Sequence, residues 1–135
     1  MTMHQPVLRH RLHNFLQRLT ALMGKSGPPA TVVFDRAQQI LWRGEGWAPV
    51  PPTAARILMA LLDHSGAIVS ESTLIHAGWQ GEPRAPADLY KQIHALRLLL
   101  ETDPHHPRHL LTRRGAGYFL QGVVGKPSVS GAEKR

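Results

Sequence analysis

The spacing of apolar residues changes twice along the chain, and this limits the folds that the chain can adopt. Apolar and polar residues first alternate as in short strands at 31–34 and 39–42, with an edge strand at 47–50. The spacing is then helical over 53–101. Strand-like segments return at 110–120, on either side of a glycine-rich turn. The predicted fold is therefore α+β, with a small N-terminal antiparallel sheet, three helices and a C-terminal β-hairpin.

Caps and apolar stripes predict the three helices of the middle segment. Thr53 is the predicted N-cap of the first helix and Ser70 that of the second. The third runs from about Ala87 to Glu101, after a loop at 81–86. The faces predicted to be buried are Ile57, Leu58, Leu61 and Leu62, then Leu74, Ile75 and Trp79, then Leu89, Ile93, Leu96 and Leu100.

A separate amphipathic helix is predicted at residues 1–24, joined by a linker at 25–30 to a compact domain at 31–121. Two heptads are short for a stable isolated coiled coil, so two interpretations stay open: docking on the chain's own core, or a homodimer contact. Gly, Ser, Pro and Lys dominate residues 122–135, which we expect to be a disordered tail. The apolar stripe of the N-terminal segment, with heptad spacing, consists of Leu8, Leu12, Phe15, Leu19 and Leu22.

The charge of the chain favours a polyanionic partner. Sixteen Lys and Arg against nine Asp and Glu give a net charge of +7 over 135 residues, with the nine histidines neutral. Such an excess suits nucleic acid or an anionic membrane surface. The absence of cysteine excludes disulfide scaffolds, thiolate metal sites and cysteine nucleophiles. No apolar run approaches the roughly 20 residues that span a bilayer, so we expect a cytoplasmic protein with no membrane partner.

Three helices followed by a hairpin with two adjacent arginines have the order of a winged helix, a variant of the helix-turn-helix plan. From about Thr31 to Gln121 the chain resembles the DNA-binding effector domain of OmpR/PhoB-type response regulators. Such regulators usually carry a phospho-accepting receiver domain before this module. The first thirty residues are too few for one, so we expect this chain to lack it. The resemblance rests on Pro52-Thr53, Ile68-Val69-Ser70-Glu71, Leu74 to Gly81, Ile93-His94-Ala95-Leu96-Arg97 and Leu111 to Tyr118.

The resemblance implies binding of double-stranded DNA in transcription control, as a protein associated with the bacterial nucleoid. Lys91 and Gln92 are the candidate readers of base edges, since lysine donates to guanine acceptors and glutamine pairs with adenine. Arg114 matches the wing arginine that such domains insert at the minor groove. The candidate phosphate contacts are His94, Arg97, Thr112 and Arg113.

A protein-interaction adaptor is the alternative from another class. Ala95 and Leu98 stand in a helix that tends to be rich in arginine in the family. An exposed Leu98 would suit contact with another regulator or with RNA polymerase, in a domain with little specific DNA binding. In the family, the loop before the third helix touches RNA polymerase. This makes Gln80, Glu82 and Arg84 candidate partner contacts.

No catalytic, metal or cofactor site is predicted. His105, His106 and His109 lie close together in sequence, but no carboxylate pair or cysteine completes a closed metal site. The sequence has no glycine-rich phosphate loop, zinc-protease helix motif or nucleophile elbow. We therefore expect neither enzyme activity nor a cofactor.

Overall fold

The computed structural model of the protein describes residues 31–126, which fold into three helices and six strands. The predicted N-terminal helix and linker lie outside the described residues, as do residues 127–135 of the predicted tail. The element order confirms the predicted α+β architecture. In chain order the elements are β1 (Val32–Asp35), β2 (Ile40–Arg43), β3 (Gly46–Pro49), α1 (Pro52–Asp63), α2 (Glu71–Gly78), α3 (Pro86–Leu100), β4 (Leu110–Arg113), β5 (Gly117–Leu120) and β6 (Val123–Lys126).

The first sheet has four strands in the order β3-β2-β1-β6. Strands β1, β2 and β3 form the predicted antiparallel meander, and β6 pairs in parallel with β1. The prediction of a disordered tail from residue 122 is therefore wrong for 123–126. Glycine and lysine in this stretch suggest disorder by composition. However, Val123 is buried, and the backbone of 123–126 pairs with the edge of β1 that β2 leaves open.

One hydrophobic core joins the inner face of this sheet to the helices. The predicted stripe of α3 is buried along its whole length, from Leu89 to Leu100. Gly78 at the end of α2 lies so close to α1 that a Cβ there would come within 2.9 Å of the Ile57 side chain. The core includes Val32, Phe34, Leu41, Ile57, Leu58, Leu61, Leu74, Leu89, Ile93, Leu96, Leu100, Leu110 and Leu120.

The two predicted N-caps have different outcomes. Ser70 caps α2 as predicted, since its side-chain oxygen accepts a hydrogen bond from the backbone N–H of Thr73 at 3.2 Å. The prediction for Thr53 is wrong because α1 begins one residue earlier, at Pro52. Proline has no N–H to satisfy in the first turn, so the helix starts there without a side-chain cap. The Thr53 hydroxyl instead accepts a hydrogen bond from Arg56 at 3.3 Å.

A buried carboxylate closes the C-terminal end of α3. Glu101 is 1% exposed, and its oxygens accept hydrogen bonds from the backbone N–H groups of Arg108, His109 and Leu110 at 2.7 to 3.1 Å. Arg43 from β2, equally buried, donates to the carbonyl of Leu100 and to the hydroxyl of Thr102. Burial lowers the pKa of the Arg43 guanidinium, and the charge of Glu101 opposes this.

We expect Glu101→Gln to lower the free energy of unfolding by about 2–4 kcal/mol. The amide would point N–H groups at backbone N–H groups, and it would remove the negative charge that favours the charged form of Arg43. Urea denaturation followed by tryptophan fluorescence measures the change. Glu82→Gln, at an exposed loop position, is the control. Equal urea midpoints for Glu101→Gln and Glu82→Gln would contradict the stabilising role of the Glu101 carboxylate.

The hairpin β4–β5 also pairs with the segment before α2. Val69 and Tyr118 exchange backbone hydrogen bonds of 2.7 and 3.0 Å. Gly117 beside this bridge has a φ of +143°, and a Cβ on it would lie 2.0 Å from the carbonyl oxygen of Val69. Gly115 at the hairpin tip has a φ of +78°, with open space around it.

We expect Gly117→Ala to destabilise the domain more than Gly115→Ala. Both substitutions place a side chain at positive φ, which costs about 1–2 kcal/mol. Only Gly117→Ala also forces the hairpin away from Val69, and we expect a total cost of roughly 3 kcal/mol or more. Urea unfolding curves of the two variants provide the comparison, and a cost for Gly115→Ala as large as that for Gly117→Ala would contradict it.

Candidate nucleic-acid interface

Helix α3 presents an outward stripe opposite its buried one. Ala87, Lys91, His94 and Leu98 follow one another at steps of four, three and four residues, and all four are exposed. Within residues 31–126, the Lys91 ammonium has neither an ion pair nor a hydrogen bond. It is therefore available to an acceptor outside the domain. The Gln92 side chain, paired with Lys91 in the sequence prediction, is half-buried at the margin of this stripe.

The hairpin tip presents two arginines in different settings. Arg114 is exposed, and within the described part of the chain it has no hydrogen bond or ion pair. The Arg113 guanidinium lies 5.0 Å from the centre of the Phe119 ring, at cation–π distance. A backbone hydrogen bond of 2.9 Å from Ala116 to the Arg113 carbonyl closes the turn. The tip therefore holds one ring-supported guanidinium and one that extends into solvent.

Arg97 joins α3 to the hairpin. Its Nε donates to the carbonyl of Leu110 at 3.0 Å, and its Nη2 donates to the Thr112 hydroxyl at 2.8 Å. The same guanidinium lies 6.0 Å from the centre of the Tyr118 ring. These bonds position the hairpin relative to α3. They also leave the Thr112 hydroxyl hydrogen free to point away from Arg97. The phosphate contact that the sequence predicted for Arg97 stays a prediction.

A hydrogen bond that sequence reasoning missed joins α2 to α3. The Tyr90 hydroxyl donates to a carboxylate oxygen of Glu71 at 3.1 Å, and this bond raises the pKa of Tyr90. Burial raises the pKa of Tyr118 as well, with smaller contributions from Glu71 and Tyr90, while Arg97 acts in the opposite direction. Both phenols are therefore held in the neutral form. Glu71 and Tyr90 are 19 residues apart, and no local pattern indicates their pairing.

The candidate partner residues lie in the exposed loop between α2 and α3. Gln80, Glu82 and Arg84 are all exposed. The Arg84 guanidinium lies 5.5 Å from the centre of a Trp79 ring and its Nη1 lies 3.7 Å from the Asp88 carboxylate. These contacts give Arg84 a defined position at the beginning of α3.

The three histidines considered for a metal site do not converge. His106 lies 2.9 Å from the Asp103 carboxylate, and this hydrogen bond is the main cause of the lowered pKa of Asp103. His109 is buried, with its Nδ1 3.0 Å from the carbonyl oxygen of Gln121. Among residues 31–126, no group of three or more His, Asp or Glu side chains is placed to hold a metal ion. In the same range, no helix has the length and apolarity needed to cross a membrane.

Residues 47–120 match the family described as "Transcriptional regulatory protein, C terminal". The chain belongs to this family. It is 34% identical over 89 residues to the KDP operon transcriptional regulatory protein KdpE of Escherichia coli strain K12, an alignment that covers 64% of this chain and 39% of KdpE. The chain thus spans well under half the length of that relative.

Two solved structures share the fold of this domain. The response regulator DrrB of Thermotoga maritima, an OmpR/PhoB homologue, superimposes with a TM-score of 0.57 at 26% identity, over 62% of this chain and 38% of DrrB. The DNA-binding domain of Klebsiella pneumoniae RstA, solved in complex with the RstA box, gives 0.59 at 19% identity, over 69% of this chain and 93% of that domain.

Family and fold together confirm the main sequence predictions. The domain is an OmpR/PhoB-type winged helix-turn-helix, as the resemblance implied. The family consists of transcription regulators and not of enzymes, which agrees with the prediction of no catalysis. The individual contacts of the exposed side chains with DNA or protein stay predictions.

We expect Arg97→Lys to lower the free energy of unfolding by about 1–2 kcal/mol. A single ammonium cannot reproduce the fork that binds Leu110 and Thr112 together. Urea denaturation measures the stability, and amide hydrogen exchange in β4 and β5 locates the change. Arg113→Lys is the control, because the Arg113 side chain is exposed and makes no such fork. Equal effects of the two substitutions on stability and exchange would contradict the positioning role.

Proposed function

We propose that this domain binds double-stranded DNA as a transcription regulator, with α3 in the major groove and the hairpin tip at the minor groove. The observation that carries the proposal is the pair of uncompensated cations, Lys91 on the outward stripe and Arg114 at the tip. They belong to two elements that Arg97 fastens together. Cations without protein partners are suited to phosphates and base acceptors.

The fold supports the same conclusion. In helix-turn-helix domains the second helix of the motif lies in the major groove and the first supports it. Helices α2 and α3 follow one another as such a pair in this chain. The RstA domain, which shares the fold, was solved on its own DNA box. Family membership makes DNA the partner class that needs the fewest further assumptions.

Each candidate side chain has a proposed role. Lys91 reads a guanine edge, with Gln92 turned toward the neighbouring base pair from the margin of the stripe. Arg114 enters the minor groove, where narrow A·T-rich segments attract guanidinium groups. His94, Thr112 and Arg113 bind phosphates and set the position of the domain.

The proposed role of Arg97 is to hold the two DNA-contacting elements at a fixed separation. Two of its five N–H donors bind the hairpin, and we propose that the remaining donors bind a phosphate. The proposal also includes a contact with RNA polymerase through Gln80, Glu82 and Arg84, supported by their exposure at the beginning of α3.

We expect in-vitro selection on random duplex DNA to enrich a defined sequence with the full chain. On that sequence, Lys91→Gln should weaken binding by about 5- to 150-fold, since a good base contact contributes about 1–3 kcal/mol of discrimination. A repeated selection with this variant should lose the preference at one or two base pairs. Lys126→Gln removes a charge of the same sign from β6, where Lys126 lies 3.7 Å from the Asp35 carboxylate, and is the control, with an expected change below roughly twofold.

The tip arginine has a separate test. Arg114→Ala should weaken binding and reduce the slope of log affinity against log salt by about one unit, because one fewer counterion is released. Fluorescence anisotropy at several salt concentrations gives the slope. An unchanged slope together with unchanged affinity would place Arg114 outside the interface.

One observation favours the adaptor as the competing function. Leu98 is 50% exposed at the C-terminal end of the outward stripe, near the half-buried Ala95. An adaptor would enrich no DNA sequence in the selection, and it would lose binding to purified RNA polymerase on Leu98→Glu. Enrichment of a sequence, with polymerase binding insensitive to Leu98→Glu, excludes the adaptor.

A further inference from the structure

The outer face of the four-stranded sheet carries a continuous apolar row. Trp47 of β3 lies opposite Trp42 of β2, Trp42 opposite Val33 of β1, and Val33 opposite Val124 of β6. We call these four residues the outer sheet patch. The row takes one side chain from every strand, and the indole rings of Trp42 and Trp47 are 6.2 Å apart.

The outer sheet patch is turned away from the core. The neighbours in the strands, Val32, Phe34, Leu41, Ala48 and Val123, are buried, and alternate residues of a strand point to opposite faces. Trp42 remains 39% exposed and Val124 54% exposed. A sheet with one face on the core normally shows polar side chains on the other. A row of apolar side chains across the whole sheet therefore indicates a surface that another segment covers.

The chain itself supplies a matching apolar stripe. Five apolar residues with heptad spacing, from Leu8 to Leu22, precede the domain and lie outside the described residues. The chain enters the sheet at β1, and Val33 in the patch is only two residues beyond Thr31. The preceding segment is thus tethered directly beside the surface.

The lengths of the linker and of the predicted N-terminal helix fit the width of the four-stranded sheet. The seven residues from Gly24 to Ala30 reach at most about 25 Å, whereas four strands about 4.8 Å apart span roughly 14 Å. A helix from Leu8 to Leu22 would be about 22 Å long, enough to cross every strand. A tether this short gives an effective concentration in the millimolar range, which favours this segment over a second copy of the chain.

We propose that the N-terminal segment packs its apolar stripe on the outer sheet patch of the same chain. Of the two interpretations that the sequence left open, this selects docking within one chain over a homodimer contact. The proposal does not depend on DNA binding. The third layer that it adds would shield Trp42 and Trp47 from water.

Disulfide trapping in the full chain tests the proposal cleanly, because the sequence has no cysteine. Val124→Cys places one thiol in the patch at an exposed position. It is combined in turn with Leu12→Cys, Phe15→Cys or Leu19→Cys. One control pairs Val124→Cys with Gln17→Cys, on the opposite side of the predicted helix. Another pairs Leu19→Cys with Leu98→Cys on α3.

We expect at least one stripe cysteine to form an intramolecular disulfide with Cys at position 124 under mild oxidation. At micromolar protein, its rate should exceed that of intermolecular disulfides by roughly a hundredfold or more. Both control pairs should form the bond much more slowly. Disulfide-linked dimers as the main product would assign the patch to a second copy and overturn the proposal. The proposal would also be overturned if the disulfide formed as fast with Gln17→Cys as with the stripe variants.

Tryptophan quenching gives a second measurement that needs no cross-link. The double variant Leu12→Glu/Leu19→Glu should release the segment and make Trp42 and Trp47 more accessible to acrylamide. Gln17→Glu adds charge on the opposite side and should leave quenching as in the unmodified chain. Far-UV circular dichroism of both variants verifies that the domain is folded before quenching is compared. Equal quenching of the double variant and Gln17→Glu would contradict docking.

Discussion

The arrangement of this domain depends on two charged side chains that are buried at the C-terminal end of α3, Glu101 and Arg43. Glu101 ends α3 and collects the backbone N–H groups that lead into β4, while Arg43 reaches from β2 to the same end of the helix. Sheet, helix and hairpin therefore meet at one point. Burying two charges is costly, and it is tolerated here because the carboxylate receives several hydrogen bonds and has an opposite charge nearby.

The bonds of Glu101 and Arg43 connect the end of α3 to the hairpin and the sheet. Arg97, about one helical turn before Glu101, makes a second connection between α3 and the hairpin. Its bonds to Leu110 and Thr112 hold β4 beside the helix. A domain that contacts two grooves needs the distance between helix and wing set before binding, since ordering them on DNA would cost conformational entropy. The use of Arg97 inside the protein is consistent with this need. Lys91 and Arg114, which have no partner among the described residues, each carry a large share of the proposed interaction.

Sequence patterns predicted the parts of this structure that are set locally. The buried stripe of α3, the Ser70 cap and the two strands of the hairpin each depend on residues within one element, and all were correct. Strand β6 was missed because its stability comes from pairing with β1, about ninety residues away. The inward role of Arg97 and the bond between Tyr90 and Glu71 were missed for the same reason. An exposed polar side chain and one that bridges two elements look alike in sequence.

The distribution of charge suggests that the N-terminal segment and the winged-helix domain contribute differently to DNA binding. Residues 31–120 hold nine basic and eight acidic residues, so the domain has little net attraction for a polyanion. Residues 1–30 hold four basic residues and no acidic one. Long-range attraction depends on net charge, whereas selectivity depends on a few placed donors. If the N-terminal stripe covers the outer sheet patch, its arginines form a fixed positive layer on the domain, and the salt dependence of DNA binding then reports on docking as well as on the wing.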